Sequence, residues 1–365
     1  TTTKKVSKVF DFQVQEPTFS PDGKKIAFAR DNNLYVFDIA SKQITTITSD
    51  GKKNSVINGI TDWVYEEEFA FVRAFDWSKD SKKVAYIRFD ESQVPEFSMS
   101  MFKKDLYPTV ETFKYPKAGE KNSEVSLHIY DVASANTKNI DLEKYSDFYI
   151  ARMKWTNDAN VLCAQVLNRH QDNLDLLFVD GTSGTTKVVL NEKDKAYVDV
   201  TDNLTFLKDN SFIWTSEKDG YNHIYHYDFN GKLINQITNG AWEVTKYYGF
   251  NKDKKTIYYQ SVENGAINRG IYSVRLDGTN IKLLIKLWRY KELTLSHLTM
   301  AKDYLHPYIS SFIFNINCFF ISYFFNIFIF YNWINKIFWF FFFWIFTKIH
   351  NNNSFRYTNL NGSKS

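Results

Sequence analysis

The densest chemistry in this 365-residue chain is an acidic run, Glu66-Glu67-Glu68, entered through Asp62-Trp63-Val64-Tyr65. Three adjacent carboxylates repel one another, so an uncompensated run costs free energy. A solvated acidic helix turn is the ordinary outcome for such a run. Here, however, it follows aromatic residues of a kind that is normally buried. Carboxylates held beside buried aromatics seek a cation. A peptide N-terminal ammonium, with a pKa near about 8, is largely charged at neutral pH and fits that demand. Two carboxylates accepting its hydrogens would also fix the distance from a chain end to any bond further along.

Other reactive residue types are sparse. Cys163 and Cys318 are the only cysteines, with no CxxC and no Cys/His spacing, so neither a disulfide framework nor a metal site is expected. Cys163, in Val-Leu-Cys-Ala-Gln-Val, reads as a buried strand residue. Gly181-Thr182-Ser183-Gly184 looks superficially like a nucleophile turn, but it follows a strand ending in Asp180 and reads as a plain reversal. The net charge of +4 is unevenly spread: eight Lys and Arg against two acids from Lys286 onward, and 37 against 39 before it. No basic patch with interleaved aromatics occurs, which argues against nucleic acid as a partner.

The elements that must position the acidic run are strands. Runs such as Lys25-Ile26-Ala27-Phe28-Ala29, Val84-Ala85-Tyr86-Ile87 and Thr256-Ile257-Tyr258-Tyr259-Gln260 alternate with Gly, Asn, Asp and Ser clusters. Many short strands at this spacing predict an all-β sandwich, barrel or propeller. An internal repeat selects the propeller. Phe19-Ser20-Pro21-Asp22-Gly23 before Lys25-Ile26-Ala27-Phe28 is echoed by Trp77-Ser78-Lys79-Asp80-Ser81 before Lys83-Val84-Ala85-Tyr86. Weaker copies begin at Trp155, Phe206 and Phe250, with outer strands at Leu177–Asp180, Ile224–Asp228 and Ile271–Val274. The intervals of 51 and 44 between the last three anchors suit a four-stranded blade. The wider intervals of 58 and 78 imply insertions, expected at 51–70 and 91–125. About five blades are counted within residues 1–285.

Asn58-Gly59-Ile60-Thr61-Asp62-Trp63-Val64-Tyr65-Glu66-Glu67-Glu68 resembles the acidic signature of the dipeptidyl peptidase IV family, within the prolyl oligopeptidase superfamily of serine peptidases. Two further stretches agree. Ser216-Glu217-Lys218-Asp219-Gly220-Tyr221-Asn222-His223-Ile224-Tyr225 is similar to a blade segment of that family, and Ile237-Thr238-Asn239-Gly240-Ala241-Trp242-Glu243-Val244 to the stretch that follows it. The resemblance covers roughly residues 8–285. It implies the N-terminal propeller of an exopeptidase that removes X-Pro or X-Ala dipeptides from peptide N-termini. The substrate-amine pair falls on Glu67 and Glu68, with Asp62, Trp63, Tyr65 and Glu66 as the supporting motif. It further implies no cofactor, an extracytoplasmic location, periplasmic or cell-surface, and frequent homodimerisation. An arginine near the substrate carbonyl cannot be placed, since Arg30 is the first in the chain and ends a strand.

Catalysis in that family needs an α/β-hydrolase domain with a Gly-x-Ser-x-Gly elbow. The chain contains no such elbow, so no catalytic residue is assigned, and a truncated propeller is expected: about five blades of the family's eight. Such an arc would leave two apolar sheet faces open. Residues 286–365 follow other rules. Residues 309–346 hold 14 of the 33 Phe and no Leu, Val, Ala or Gly. Ile309–Asn335 lacks charge and is long enough for a membrane helix of about 20 residues. Its five Asn would be costly in lipid, and the Phe, Ile, Asn, Tyr, Lys bias matches A/T-rich codons. Translation of a wrong frame or a non-coding stretch is therefore favoured over a membrane segment. The competing expectation is a non-enzymatic binding or scaffold propeller attached to a membrane through 309–346.

Overall fold

Each of the five aromatic anchors closes, or nearly closes, the first strand of an antiparallel sheet. The structure, a computed structural model, describes residues 8–287. Blade one is β1 (Gln15–Phe19), β2 (Lys25–Arg30), β3 (Asn33–Asp38) and β4 (Ile44–Thr46), hydrogen-bonded in chain order. Blade two has its first strand in two pieces, β5 (Val56–Asn58) and β6 (Phe75–Trp77), with the helix α1 (Trp63–Glu67) between them. Both pieces pair with β7 (Lys83–Asp90). A separate two-stranded ribbon, β8 (Glu96–Met101) and β9 (Thr109–Lys114), interrupts the path to β10 (Glu124–Asp131) and β11 (Asn136–Asn139).

Blade three is β12 (Phe148–Trp155), β13 (Val161–Asn168), β14 (Asn173–Asp180) and β15 (Thr186–Lys193). Blade four is β16 (Thr205–Phe206), β17 (Phe212–Ser216), β18 (His223–Tyr227) and β19 (Leu233–Gln236). Blade five is β20 (Val244–Asn251), β21 (Thr256–Ser261), β22 (Arg269–Arg275) and β23 (Lys282–Leu287). The described residues thus form five consecutive blades of a β-propeller. The runs expected to be outermost, at 177–180, 224–228 and 271–274, are third strands. Beyond each lies a shorter or more polar fourth strand that alternation did not reveal.

Burial explains the hydrophobic pattern. A middle strand such as β13 or β17 has a blade on each side, so residues of both parities are buried. The outermost strands β4 and β11 are exposed throughout. One cluster joins blades one and two through Ala27, Leu34, Phe75 and Trp77. Another joins blades four and five through Ile213, Ile224, Ile257 and Tyr259. Cys163 lies buried on β13.

The repeated turns share one device. Ser20 Oγ donates to Asp22 at 2.6 Å, and Ser78 Oγ donates to Asp80 at 2.7 Å, while each serine oxygen accepts the N–H of the strand that follows. At the other reversals Asp38, Asp131 and Asp180 each accept two backbone N–H groups. Those bonds hold the three carboxyls below their ordinary range. Gly181–Gly184 belongs to the Asp180 reversal, as expected.

Two features differ from expectation. The first excursion does not span 51–70: Val56–Asn58 still pair with β7, and the chain leaves the strand at Gly59 and returns at Ala74. The outer face of blade one is not bare either. Phe10, Phe12 and Val14 pack there against Ile26, Phe28 and Phe37. Of the composition-shifted segment 286–365, everything from residue 288 onward, including 309–346, lies outside the described residues. Among the described residues no helix is long and apolar enough to cross a membrane.

Candidate functional site

The acidic run sits on a stalked excursion from the first strand of blade two. At the base Gly59 N–H donates to Ile87 O (3.1 Å), Ala74 N–H to Gly59 O (3.0 Å) and Ile87 N–H to Ala74 O (2.9 Å). The β7 ladder therefore continues across the gap as if residues 60–73 were absent. Gly59 has φ +75°, and a Cβ there would meet Leu34 Cδ1 at 2.9 Å, so the exit turn requires glycine. Above the base, Ile60 bridges Arg73 and Thr61 N–H donates to Val72 O at 3.0 Å. These bonds close the stalk and present residues 62–71 as its head.

Asp62 starts α1 as the N-cap. Its Oδ1 accepts the Tyr65 N–H at 3.0 Å and its Oδ2 accepts the Ser123 hydroxyl at 2.6 Å. Burial pushes this carboxyl up, while the Ser123 hydroxyl and the Tyr65 and Val64 N–H groups pull it back. Val64, Tyr65 and Phe69 are buried and Trp63 is half-buried. The Tyr65 ring contacts Phe69, Phe71, Phe89 and Tyr149 at centroid distances from 4.8 to 6.1 Å. Its hydroxyl accepts the Ile150 N–H from blade three at 2.9 Å. Trp63 packs on Tyr115 at 4.2 Å.

With that face buried, Glu66, Glu67 and Glu68 are left exposed. Among the described residues none of the three is ion-paired, and none of their carboxylates accepts a hydrogen bond. Glu67 ends the helix and Glu68 is its C-cap, with no basic residue in the last turn. Carboxylates at a helix C-terminus face the negative end of the backbone dipoles. Like charge on like charge at a negative helix end is a local conflict that an arriving cation would relieve. Arg152, whose guanidinium lies 5.3 Å from the Phe71 ring of the same head, is already paired with Asp202. Among the described residues no cluster of His, Cys, Asp and Glu could hold a metal ion.

The two other motifs meet each other elsewhere. His223 is fully buried in blade four. Its Nε2 donates to the Gly240 carbonyl and its Nδ1 accepts from Thr238 Oγ1, both at 3.0 Å. Trp242 packs edge-on against the imidazole at 4.9 Å. Gly240 has φ +136°, and a Cβ there would fall 2.2 Å from Trp242 Nε1. This constellation ties one blade to the next. It is structural, and its histidine is committed to two bonds.

Sequence reasoning missed the groups that hold α1 in place. Tyr115, Ser123 and Ile150 stand far from the acidic run in the chain, and nothing in their local sequence marks them. Glu91, only 6% exposed, was missed as well. Its carboxyl is pushed up to about 7, first by burial and then by the Asp62 charge, against a downward pull from Lys114.

The family model describing the dipeptidyl peptidase IV N-terminal region matches residues 1–300. A probable dipeptidyl-aminopeptidase B of Talaromyces marneffei is 32% identical over 301 residues, covering 74% of this chain and 33% of the relative. The corresponding protein of Phaeosphaeria nodorum is 32% identical over 299 residues, covering 73% and 32%. The crystal structure of Porphyromonas gingivalis dipeptidyl peptidase 4 superposes with a TM-score of 0.73 at 43% identity, covering 76% of this chain and 40% of that one. The chain thus spans about a third of the length of the curated relatives it matches.

Proposed function

Since the chain belongs to the dipeptidyl peptidase IV family through its N-terminal propeller region, we propose that it supplies the substrate-amine site of a serine exopeptidase, with Glu67 and Glu68 as the amine-binding pair. The observation that supports this reading is a rigidly held helix presenting carboxylates that lack a cation. A peptide ammonium has three N–H donors and one positive charge. Two carboxylates at one helix end accept two of those donors and neutralise the charge. An internal peptide bond offers neither charge nor donors of that kind, so the pair selects a chain end. Because the stalk fixes the helix, the amine position is fixed too. The bond presented for cleavage then lies a set number of residues away, which gives dipeptide release. The X-Pro and X-Ala preference belongs to the same proposal. No residue of this chain is assigned to bond cleavage.

The test uses an intact dipeptidyl peptidase carrying this propeller. Glu67→Gln and Glu68→Gln keep shape and remove charge. Each should lower kcat/KM on a free-amine X-Pro substrate by about tenfold to more than a hundredfold, the range for a lost charge-assisted contact. Unchanged kcat/KM in both variants would overturn the assignment.

Self-association is the second part of the proposal. The ribbon β8–β9 and its tip expose Phe102, Leu106, Tyr107 and Val110, at 83, 89, 78 and 69%. Contiguous apolar exposure of this kind marks contact surfaces. A second copy of the chain is the partner we assign to it.

A further inference from the structure

A helix of five residues has no stability of its own, because nucleation costs more than one turn of hydrogen bonds returns. The position of the acidic side chains is therefore set by what grips α1 from outside. Two of those grips come from one segment, the excursion that leaves blade two after Glu91 and rejoins it at Glu124. Ser123 Oγ donates to Asp62 Oδ2 at 2.6 Å, and both residues are buried. Ser123 is the one side-chain donor to Asp62 among the described residues. The Tyr115 ring lies 4.2 Å from Trp63. Asn122, beside Ser123, donates to the Tyr149 hydroxyl at 2.7 Å, and Tyr149 forms the floor under Phe69 and Tyr65.

We infer that Ser123 is a positioning residue for the exposed carboxylates, and that the excursion from Glu91 to Ser123 braces α1 through Ser123 and Tyr115. This inference rests on the amine-binding reading of Glu67 and Glu68. Asp62 caps the helix with one oxygen and is anchored by the other, so the rotamer that makes the cap is the one Ser123 holds. Without that donor a buried carboxylate oxygen loses its partner, and turning toward water breaks the cap. α1 would then tilt or fray, and the carboxylates at its far end would lose their fixed distance from the stalk.

Two readouts separate the brace from the amine site. The first is hydrogen exchange of the Tyr65–Glu68 amides in the 365-residue chain, with the β13 amides as internal reference. Ser123→Ala should speed exchange in α1 by about tenfold, the size expected when a buried hydrogen bond is lost, and leave β13 unchanged. Ser123→Thr, which keeps the hydroxyl, should restore protection. The second is steady-state kinetics in an intact peptidase carrying this propeller. Ser123→Ala should raise KM for a free-amine X-Pro substrate by about tenfold with kcat held, as expected for a contact used equally in ground and transition states. Should Ser123→Ala fail to fold, Tyr115→Leu loosens the other grip and is read the same way. Unchanged α1 exchange in both variants overturns the brace. Faster exchange with unmoved KM overturns the inference by removing its premise, the amine role of the glutamates, while leaving the grip on α1 measured.

Discussion

Ile150 donates its backbone N–H to the Tyr65 hydroxyl at 2.9 Å, across 85 residues of chain. Ile150 lies on β12, the innermost strand of blade three, where alternate N–H groups have no ladder partner. The β12–β13 register slips between Ile150 and Arg152, as at a bulge. Tyr65 thus supplies the acceptor that the sheet leaves missing and locks the helix of one blade to the next. Both residues are buried.

Tyr65→Phe keeps the ring packing and removes only the acceptor. It should cost about 1–3 kcal/mol, the penalty for stranding a buried N–H, and lower Tm by several degrees in thermal unfolding. An unaltered Tm would show that the hydroxyl is replaceable by water.

Glu91 gives stability a pH dependence. Its carboxyl titrates near about 7 in the folded chain, against an ordinary value of 4.5. The groups acting on it are Asp62 and Asp90, which push it up, and Lys114, which pulls it down. Between those two values the folded state holds a proton that the unfolded state has released. Stability from this group is therefore present below pH 4.5 and is lost as pH rises toward 7. Glu91→Gln is neutral throughout. Its Tm should fall less than that of the parent across the window, leaving the variant relatively more stable above it. Parallel Tm–pH curves would show that Glu91 titrates normally.

How much of this was legible in the sequence follows from the range of each interaction. The Ser-x-Asp and Asp-turn devices act over two to five residues, so the anchors Phe19, Trp77, Trp155, Phe206 and Phe250 located the blades directly. Fourth strands such as β11 are exposed on both faces and carry no apolar alternation, so third strands were mistaken for the outermost. The Asp62–Glu68 signature pointed to a cation site because Trp, Tyr and three Glu are locally in conflict. Ser123, Tyr115 and Ile150 left no such mark. Each meets α1 only after blades two and three have formed, and a lone Ser or Tyr in a loop looks like any other. The covering of blade one by Phe10 and Phe12 was missed for a related reason: blade counting treats a sheet face as open unless another sheet meets it.

The ribbon gives a test of self-association. An isolated two-stranded ribbon is marginal in water, and this one exposes four large apolar side chains near its tip. Replacing Phe102 and Leu106 together by Ser should weaken the self-association constant by more than about tenfold, since buried aromatic anchors dominate such contacts. Light scattering across a concentration series reads the result. A parent chain that stays monomeric at every concentration would refute the assignment of a second copy to this surface.

The aromatic segment before β1 sets the last expectation. Residues 11 to 19 alternate exposed and half-buried, so the period-two pattern of β1 begins before its first ladder bond. Phe10 reaches Phe28 at 4.8 Å and Phe37 at 5.1 Å, Phe12 reaches Phe28 at 6.3 Å, and the Arg30 guanidinium covers Phe12 at 4.1 Å. This is the face of blade one turned away from blade two, where Ile26, Phe28 and Phe37 would otherwise meet water. Phe10 and Phe12 are only half-buried, so the pair should contribute less than the roughly 3–5 kcal/mol of one fully buried Phe→Ala change. Phe10→Ala with Phe12→Ala should still remove about 1–3 kcal/mol, including the cation–π contact. It should also raise binding of a hydrophobic dye and aggregation on heating, because the face uncovered is apolar and continuous with the blade core. The same two substitutions leave α1 untouched, so exchange of the Tyr65–Glu68 amides should not change. A double variant with parental Tm and dye binding would mean that the segment rests on blade one without stabilising it.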